Sequence, residues 1–222
     1  MLQNDKMTVG DCKQNDAPND TILTHNGVPM TADDLARLDD GQELNDDNID
    51  FYFQLLVTRA EKNKAANPSV YSFGTFLWQV ISSNQPFDIH LARWTKNVNL
   101  SEYDFLLFPV NRNHHWSLVV VDQRSNVIEY FDPLKFADNG ATDAVRDYLI
   151  EEHLHYVAEL LPKTHWQIRN FDKFIRQNNS TDCGAYICAF AKWRTGGFTT
   201  TPTEMGGFRT RMKEEILNKS LE

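Results

Sequence analysis

The chain has 222 residues, and its apolar and charged fractions of 41% and 24% are those of an ordinary globular protein. Its formal net charge of −9 argues against sequence-independent binding to nucleic acid, because that binding needs a positive surface. The apolar runs are too short for a membrane span, the N-terminus has no apolar signal core, and three cysteines fit a reducing compartment. We therefore expect an intracellular protein of the cytoplasm or nucleus.

The chain starts with polar residues that have no hydrophobic period. We predict a flexible tail over residues 1–25 and a single domain over residues 26–222. The dipeptide Asn26-Gly27, flanked by apolar residues, indicates a tight hairpin turn. Thr31 is the predicted N-cap of a short helix, which has two aspartates in its first turn.

Two further helices are predicted before the middle of the chain. Asn45 is the predicted N-cap of the first, in which apolar residues from Ile49 to Ala60 recur with helical spacing. The second is predicted over residues 72–83. Three strands follow, at residues 104–110, 115–122 and 126–132. The polar turn between the last two strands favours an antiparallel pair.

The last third of the chain has four predicted elements. A helix is predicted over residues 141–161 and a strand over residues 165–170. Another helix begins at Cys183, and an amphipathic segment covers about residues 203–218. Helices, then a meander of strands, then helices predict an α+β fold rather than a regular alternation of strands and helices.

The functional interpretation depends on Cys183. A thiol attacks a carbonyl as the thiolate, which needs a lowered pKa and a nearby base, and the start of a helix favours negative charge. His115 begins one strand and Asp132 ends the next, so antiparallel pairing brings them to the same edge. Gln177 lies in a polar loop six residues before the cysteine, where its amide could help bind an oxyanion. From this pattern alone, a buried structural role for the cysteine stays open.

Several segments together resemble the Ulp-type cysteine proteases, which process and remove ubiquitin-like modifiers. These segments are HWSLVVVD, YFDPL and QNNSTDCGAYICAF, with ELNDDNIDFYFQLL and ARWTKNVNLSEYDFLLFPVN upstream. The order His, Asp, Gln, Cys and the seventeen residues from His115 to Asp132 also fit that family. The resemblance covers roughly residues 28–195 and implies a Ulp-like catalytic domain with the family's papain-like α+β fold, in which helices pack on a mixed or antiparallel sheet.

The resemblance implies a role for each matching residue. Cys183 would be the nucleophile, and His115 would be the general base and then the acid to the leaving amine. Asp132 would orient His115. Gln177 would form the oxyanion hole with the backbone N–H of Cys183, and Trp116 would lie over the C-terminal Gly-Gly of the modifier. The resemblance implies no metal and no cofactor.

One position departs from the family, which usually has an aromatic residue before Leu-Asn-Asp where this chain has Glu43. In the family, that aromatic ring and the Trp that corresponds to Trp116 form the two walls of a narrow slot, which holds the C-terminal Gly-Gly of the modifier. Glu43 is therefore a candidate substrate-binding residue, whose charge would attract a basic residue of the modifier's tail. Asp46 is a second candidate, although a helix-dipole role is also open. His114 is the rival base, and we expect strand alternation to send it to the face opposite His115.

We therefore expect a cysteine isopeptidase of deneddylase or desumoylase type that cleaves after Gly-Gly in precursors and conjugates. Its expected partners are a ubiquitin-like modifier (the neddylation modifier, SUMO or ubiquitin) and its conjugates, without nucleic acid or membrane, and we expect a monomer. Three alternatives stay open: a deubiquitinase, an acetyltransferase of the same clan, and an inactive module that binds a modifier. Asp132 and the net acidity count against the acetyltransferase, which generally has Glu there and needs clustered basic residues.

Overall fold

The structure is a computed structural model, which describes residues 20–62, 64–83, 91, 93–157, 166–196 and 203–221. Its strands in these ranges are β1 (Thr21–His25), β2 (Val28–Thr31), β3 (Val70–Ser72), β4 (Phe105–Arg112), β5 (His115–Asp122), β6 (Val127–Phe131) and β7 (Gln167–Asn170). The helices are α1 (Ala32–Ala36), α2 (Asp46–Lys62), α3 (Thr75–Ile81), α4 (Ala141–Val157), α5 (Cys183–Thr195) and α6 (Phe208–Asn218). Among the helices of the described residues, none is long and apolar enough to cross a membrane.

A mixed five-stranded sheet in the order β3-β4-β5-β6-β7 forms the centre of the fold. The central strand β5 is antiparallel to its neighbours β4 and β6, whereas the outer strands β3 and β7 run parallel to β4 and β6, respectively. Almost every residue of the three central strands is buried, because helices cover both faces. These strands therefore appear in the sequence as continuous apolar runs. The arrangement confirms the predicted α+β class.

Each face of the sheet has its own hydrophobic core. Helices α2, α5 and α6 and the β1-β2 hairpin pack on one face, together with Leu107 and Val120 of the sheet. Helices α3 and α4 pack on the other face, with Leu106 and Val121. Successive strand residues contribute to opposite cores because side chains alternate along a strand. The fold therefore holds α5, which starts with a cysteine, against the sheet face that also contains α2.

Side-chain caps fix the starts of α1 and α2, as the sequence predicts. The N–H of Asp34 donates to Thr31 Oγ1 at 3.2 Å, and the N–H of Thr31 donates to Asp34 Oδ2 at 2.8 Å. Asn45 and Asn48 cap α2 in the same reciprocal way, at 3.2 and 3.0 Å. Asn45 Nδ2 also donates to Asp34 Oδ1 at 2.6 Å, which joins the two helix starts. The backbone just before α2 is therefore held in one conformation.

Two of the predicted boundaries differ clearly from the structure, and a third is only partly described. Residues 21–25, which we placed in the tail, form β1, so the boundary at residue 25 falls inside the hairpin. The helix predicted over residues 72–83 covers only Thr75–Ile81, because Ser72 ends β3, an unpredicted strand paired with β4. The structure describes the helix predicted to end at residue 161 as far as Val157. Residues 1–19 of the predicted tail, and His165 of the predicted strand, lie outside the described residues.

Candidate active site

A tight turn between β4 and β5 separates the two neighbouring histidines. Asn113 and His114 form its two-residue loop with positive φ values of 51° and 63°, as in a type I′ turn. His114 is exposed in this loop, whereas His115 is the half-buried first residue of β5. The turn therefore separates the two side chains. The expectation that they alternate along one strand is wrong, because His114 belongs to the turn and only His115 belongs to β5.

His115 and Asp132 form a hydrogen-bonded pair at one edge of the sheet, as antiparallel pairing of β5 with β6 predicts. His115 Nε2 lies 2.8 Å from Asp132 Oδ2. The buried carboxylate also accepts hydrogen bonds from the N–H of Leu134 at 2.8 Å and from the hydroxyl of Tyr130 at 3.2 Å. Because both carboxylate oxygens are held, the carboxylate fixes the orientation of the imidazole ring.

Cys183 contributes to the same site. It is the first residue of α5, its exposed fraction is 2%, and it interacts with His115 closely enough to help raise the pKa of that ring. Burial lowers the pKa of His115, but its interactions with Asp132 and Cys183 raise the pKa to about 9. Burial raises the pKa of Asp132, but the His115 contact and the N–H of Leu134 bring it below its ordinary value. The histidine is therefore charged at neutral pH, and a positive imidazolium beside a thiol favours the thiolate.

Gln177 lies in the loop that leads to Cys183, where its side chain is buried. Its backbone N–H donates to the carbonyl of Pro133 at 2.9 Å, which connects this loop to the residue after Asp132. Its side-chain Nε2 donates to the carbonyl of Asn179 at 2.8 Å. A substrate oxyanion would therefore have to share the amide with Asn179 or displace that bond.

A cavity of about 320 Å³ contains the three candidate substrate-binding residues. Trp116, Glu43 and Asp46 all line it. The indole Nε1–H of Trp116 donates to the carbonyl of Leu44 at 2.9 Å, so the buried ring is fixed to the segment before α2. Glu43 and Asp46 are exposed. The structure thus brings together residues that are more than 70 positions apart in the sequence.

The first turn of α5 approaches the segment before α2 too closely for a side chain at position 184. A Cβ atom added to Gly184 would lie 2.8 Å from Leu44 Cβ and 3.2 Å from Ile49 Cδ1. Glycine directly after the cysteine therefore allows α5 to pack against the wall of the cavity. This is a packing requirement, and it explains the Cys-Gly pair in physical terms.

We expect Gly184→Ala to lower the free energy of unfolding by about 1–3 kcal/mol, because the new methyl group forces Leu44 and the start of α5 apart. Thermal unfolding measures the loss. Gly206→Ala is the matched control, since a Cβ there would meet no atom within 4 Å. Equal unfolding temperatures for the two variants would contradict the close approach.

Sequence analysis did not identify Tyr130 as part of this site. Its hydroxyl touches the carboxylate that holds His115, and its pKa is raised to about 12, chiefly by burial and also by the charge of Asp132, so that the hydroxyl stays protonated and donates. A sequence signal was present, because residues two apart on a strand share a face and Tyr130 precedes Asp132 by two positions.

Known proteins resemble this chain over most of its length. A family model described as the Ulp1 protease family, C-terminal catalytic domain, matches residues 42–221. A sentrin-specific protease of Caenorhabditis elegans is 32% identical over 206 residues, which is 92% of this chain and 29% of that protein. Sentrin-specific protease 2 of Homo sapiens is 33% identical over 210 residues, covering 92% of this chain and 35% of the relative. The chain thus spans about one third of the length of these relatives.

Solved structures share the fold. The C-terminal Ulp1 protease domain in complex with SMT3, the yeast ortholog of SUMO, matches with a TM-score of 0.72 and 22% identity, over 95% of this chain and 92% of that one. A SUMO protease Ulp1 whose catalytic cysteine is oxidized to a sulfinic acid matches with a TM-score of 0.73 and 24% identity, over 93% and 91% of the two chains. At this identity the similarity establishes the architecture of helices on a mixed sheet.

Proposed function

The chain belongs to the Ulp1 protease family, a family of cysteine proteases, and from this membership we propose that it is a thiol isopeptidase for a SUMO-type modifier. It cleaves after the C-terminal Gly-Gly of the modifier, in precursors and in conjugates. The observation that carries the proposal is the arrangement of Cys183, His115 and Asp132, in which His115 is hydrogen-bonded to Asp132 and interacts with Cys183. His115 directly precedes Trp116, which lines the cavity described above.

In the proposed first half-reaction, the Cys183 thiolate attacks the carbonyl carbon of the last glycine. The negative charge that develops on the carbonyl oxygen is stabilised by the backbone N–H of Cys183 and by the Gln177 amide. His115 then transfers its proton to the departing nitrogen, which for a conjugate is the lysine amine. The C–N bond breaks, and the modifier remains bound to the sulfur as a thioester.

In the second half-reaction, neutral His115 removes a proton from water, which attacks the thioester. The C–S bond breaks, the modifier leaves with a free carboxylate, and the thiolate–imidazolium pair is restored. Asp132 keeps one tautomer of the ring and stabilises its charge in both steps. Trp116, fixed through its N–H to the Leu44 carbonyl, forms a rigid wall against which a tail without side chains can lie.

The desumoylase type fits better than the deneddylase type. Two facts support it: the two relatives described above are named sentrin-specific proteases, and a structurally similar domain was solved in complex with SMT3. No contact within the described residues favours a deubiquitinase or an acetyltransferase over this reaction.

The test is covalent labelling with three probes, SUMO, the neddylation modifier and ubiquitin, each carrying a thiol-reactive group at its C-terminus. We expect an adduct with the SUMO probe, on Cys183 by peptide mass spectrometry. An adduct with the neddylation modifier alone would reverse the choice of modifier. Folded protein that forms no adduct with any probe would contradict the proposed activity.

Glu43 offers a test of the tail-binding cavity. We expect Glu43→Trp to raise kcat/KM on a SUMO Gly-Gly substrate by about twofold to tenfold, because a second aromatic ring contributes about 0.5–1.5 kcal/mol of packing. Glu43→Gln is the control, since it removes the charge and nearly keeps the size. Wild-type kinetics for both variants would mean that the tail does not touch position 43.

A further inference from the structure

The guanidinium of Arg209, on α6, is buried with an exposed residue fraction of 6% and uses all of its N–H groups. Its Nε donates to Asp182 Oδ1 at 2.7 Å. The remaining donors bind four backbone carbonyls: Arg37 at 3.0 Å, Asp39 at 3.3 Å, Gln42 at 2.7 Å and Thr181 at 3.1 Å. A guanidinium has five N–H donors, so this set of contacts satisfies it completely.

These contacts join two segments of the candidate active site. One is residues 37–42, which lead into the cavity wall at Glu43. The other is the loop of residues 177–182, which ends beside Cys183. Within that loop the order continues, because Asn179 Nδ2 donates to Asp182 Oδ2 at 2.7 Å and the Asn179 carbonyl accepts the side chain of Gln177. A continuous network therefore runs from α6 to the residue proposed to bind the oxyanion.

Charge is the second consequence of the contact. Asp182 directly precedes the nucleophile, and a carboxylate at that position opposes a second negative charge on the thiol. Arg209 forms an ion pair with this carboxylate, with side-chain exposures of 7% for the arginine and 25% for the aspartate. His115, hydrogen-bonded to Asp132, is a second charged group that interacts with Cys183.

The acidic groups on the neighbouring start of α2 are Asp46, Asp47 and Asp50. Asp50 accepts hydrogen bonds from the backbone N–H and the hydroxyl of Thr75. All three carboxylates stay the same in every variant used below. A change in thiol reactivity between those variants therefore reports on Arg209 and Asp182.

We propose that Arg209 is a positioning residue of this enzyme, which holds the nucleophile loop against the cavity wall and pairs with the Asp182 carboxylate beside the reacting sulfur. The inference rests on the proposed role of Cys183 as nucleophile. It adds a distant part of the sequence, the last helix, to the machinery of the reaction.

The test measures alkylation of Cys183 by iodoacetamide against pH, with peptide mass spectrometry to identify the labelled cysteine. We expect Arg209→Met to slow alkylation at pH 7 by about tenfold, because the unpaired Asp182 carboxylate opposes negative charge on the neighbouring sulfur and the loop that holds this sulfur is released. Asp182→Asn should move the midpoint the other way, and the double variant should return close to wild type. Arg211→Met is the matched control on the same helix, since that side chain is exposed and contacts only the Gly206 carbonyl in this way.

Arg209→Lys separates the charge from the hydrogen bonds. A lysine keeps the positive charge but cannot bind four carbonyls and a carboxylate together. We expect a nearly wild-type midpoint of alkylation and a raised KM for the SUMO substrate. This variant decides the question if Arg209→Met does not fold.

Wild-type midpoints and wild-type KM in folded Arg209→Met, or in Arg209→Lys, would overturn the positioning role. The proposed nucleophile fails in a different way. If wild-type Cys183 reacted no faster at pH 7 than an ordinary free thiol, the proposed function would be wrong before any variant was compared.

Discussion

Replacing Cys183 with alanine is expected to reduce hydrolysis of a SUMO precursor by roughly 10⁴-fold or more, because the proposed reaction passes through a thioester on this sulfur. Alanine fills most of the buried volume of the cysteine and keeps the close approach at Gly184. The variant should therefore keep its fold and bind SUMO with a Kd close to that of the wild type. Steady-state kinetics and titration calorimetry measure the two quantities.

Cys188→Ala is the matched control for this experiment. Cys188 lies five residues further along α5, is completely buried, and its thiol pKa is raised well above the ordinary value by burial. A thiol in that environment is inert, so this variant should retain turnover. The nucleophile would be misassigned if Cys183→Ala cleaved the substrate at the wild-type rate, or if only Cys188→Ala lost cleavage.

Asp132→Asn is expected to lower kcat by about 10²- to 10⁴-fold while leaving the fold intact. Asparagine keeps the shape of the side chain, but it removes the negative charge that stabilises the imidazolium and selects its tautomer. Tyr130→Phe is a milder variant for comparison, because it deletes one hydrogen bond to the Asp132 carboxylate and keeps the charge of that carboxylate. We expect its kcat to fall by much less.

The pH dependence follows from the same pair. Activity needs a charged His115, so it should decline as pH rises through about 9, the pKa that His115 has beside Asp132 and Cys183. In Asp132→Asn, burial still lowers the pKa of His115, and the carboxylate charge that raised it is gone. The alkaline limb of the kcat profile should therefore move to lower pH in Asp132→Asn. An alkaline limb that stays at the same pH in this variant would show that Asp132 does not hold the proton on His115.

The fold also ties His115 to stability. Its folded pKa is raised above the ordinary value of 6.5, so the charged form stabilises the folded state. That contribution is complete below about pH 6.5 and is lost as pH rises through about 9. Asp132 acts in the opposite direction, because its pKa is lowered and its contribution is lost as pH falls through the acidic range. The pair therefore contributes most to stability around neutral pH, and its contribution falls at both acidic and alkaline pH.

The sequence by itself determined the long elements and the residues of the candidate catalytic line. Apolar runs bounded by turns predicted β4, β5 and β6. Helical spacing predicted α2, where a capping residue precedes it, and α5. These signals are local, since each depends on residues next to one another in the chain. The sequence also predicted that His115 and Asp132 lie close together. Two strands joined by a short turn pair antiparallel, so the first residue of one strand lies at the same edge as the residue that ends the next.

Other features were decided only by the tertiary structure. β3 has three residues and exists because β4 pairs with it, so its own sequence carries little signal. Whether His114 or His115 faces the cysteine depended on the positive φ angles of a turn. Glu43 and Trp116 met across a cavity because Leu44 binds the indole, not because of any pattern in either segment.

Arg209 shows most clearly why the remainder could not be predicted. Its partners include backbone carbonyls 167 to 172 residues away, and every residue type has the same carbonyl group. A side chain that binds backbone leaves no complementary residue to recognise in the sequence. The sequence therefore determined which groups can carry out the chemistry, and the packing of α6 against two distant loops decided what holds those groups in place.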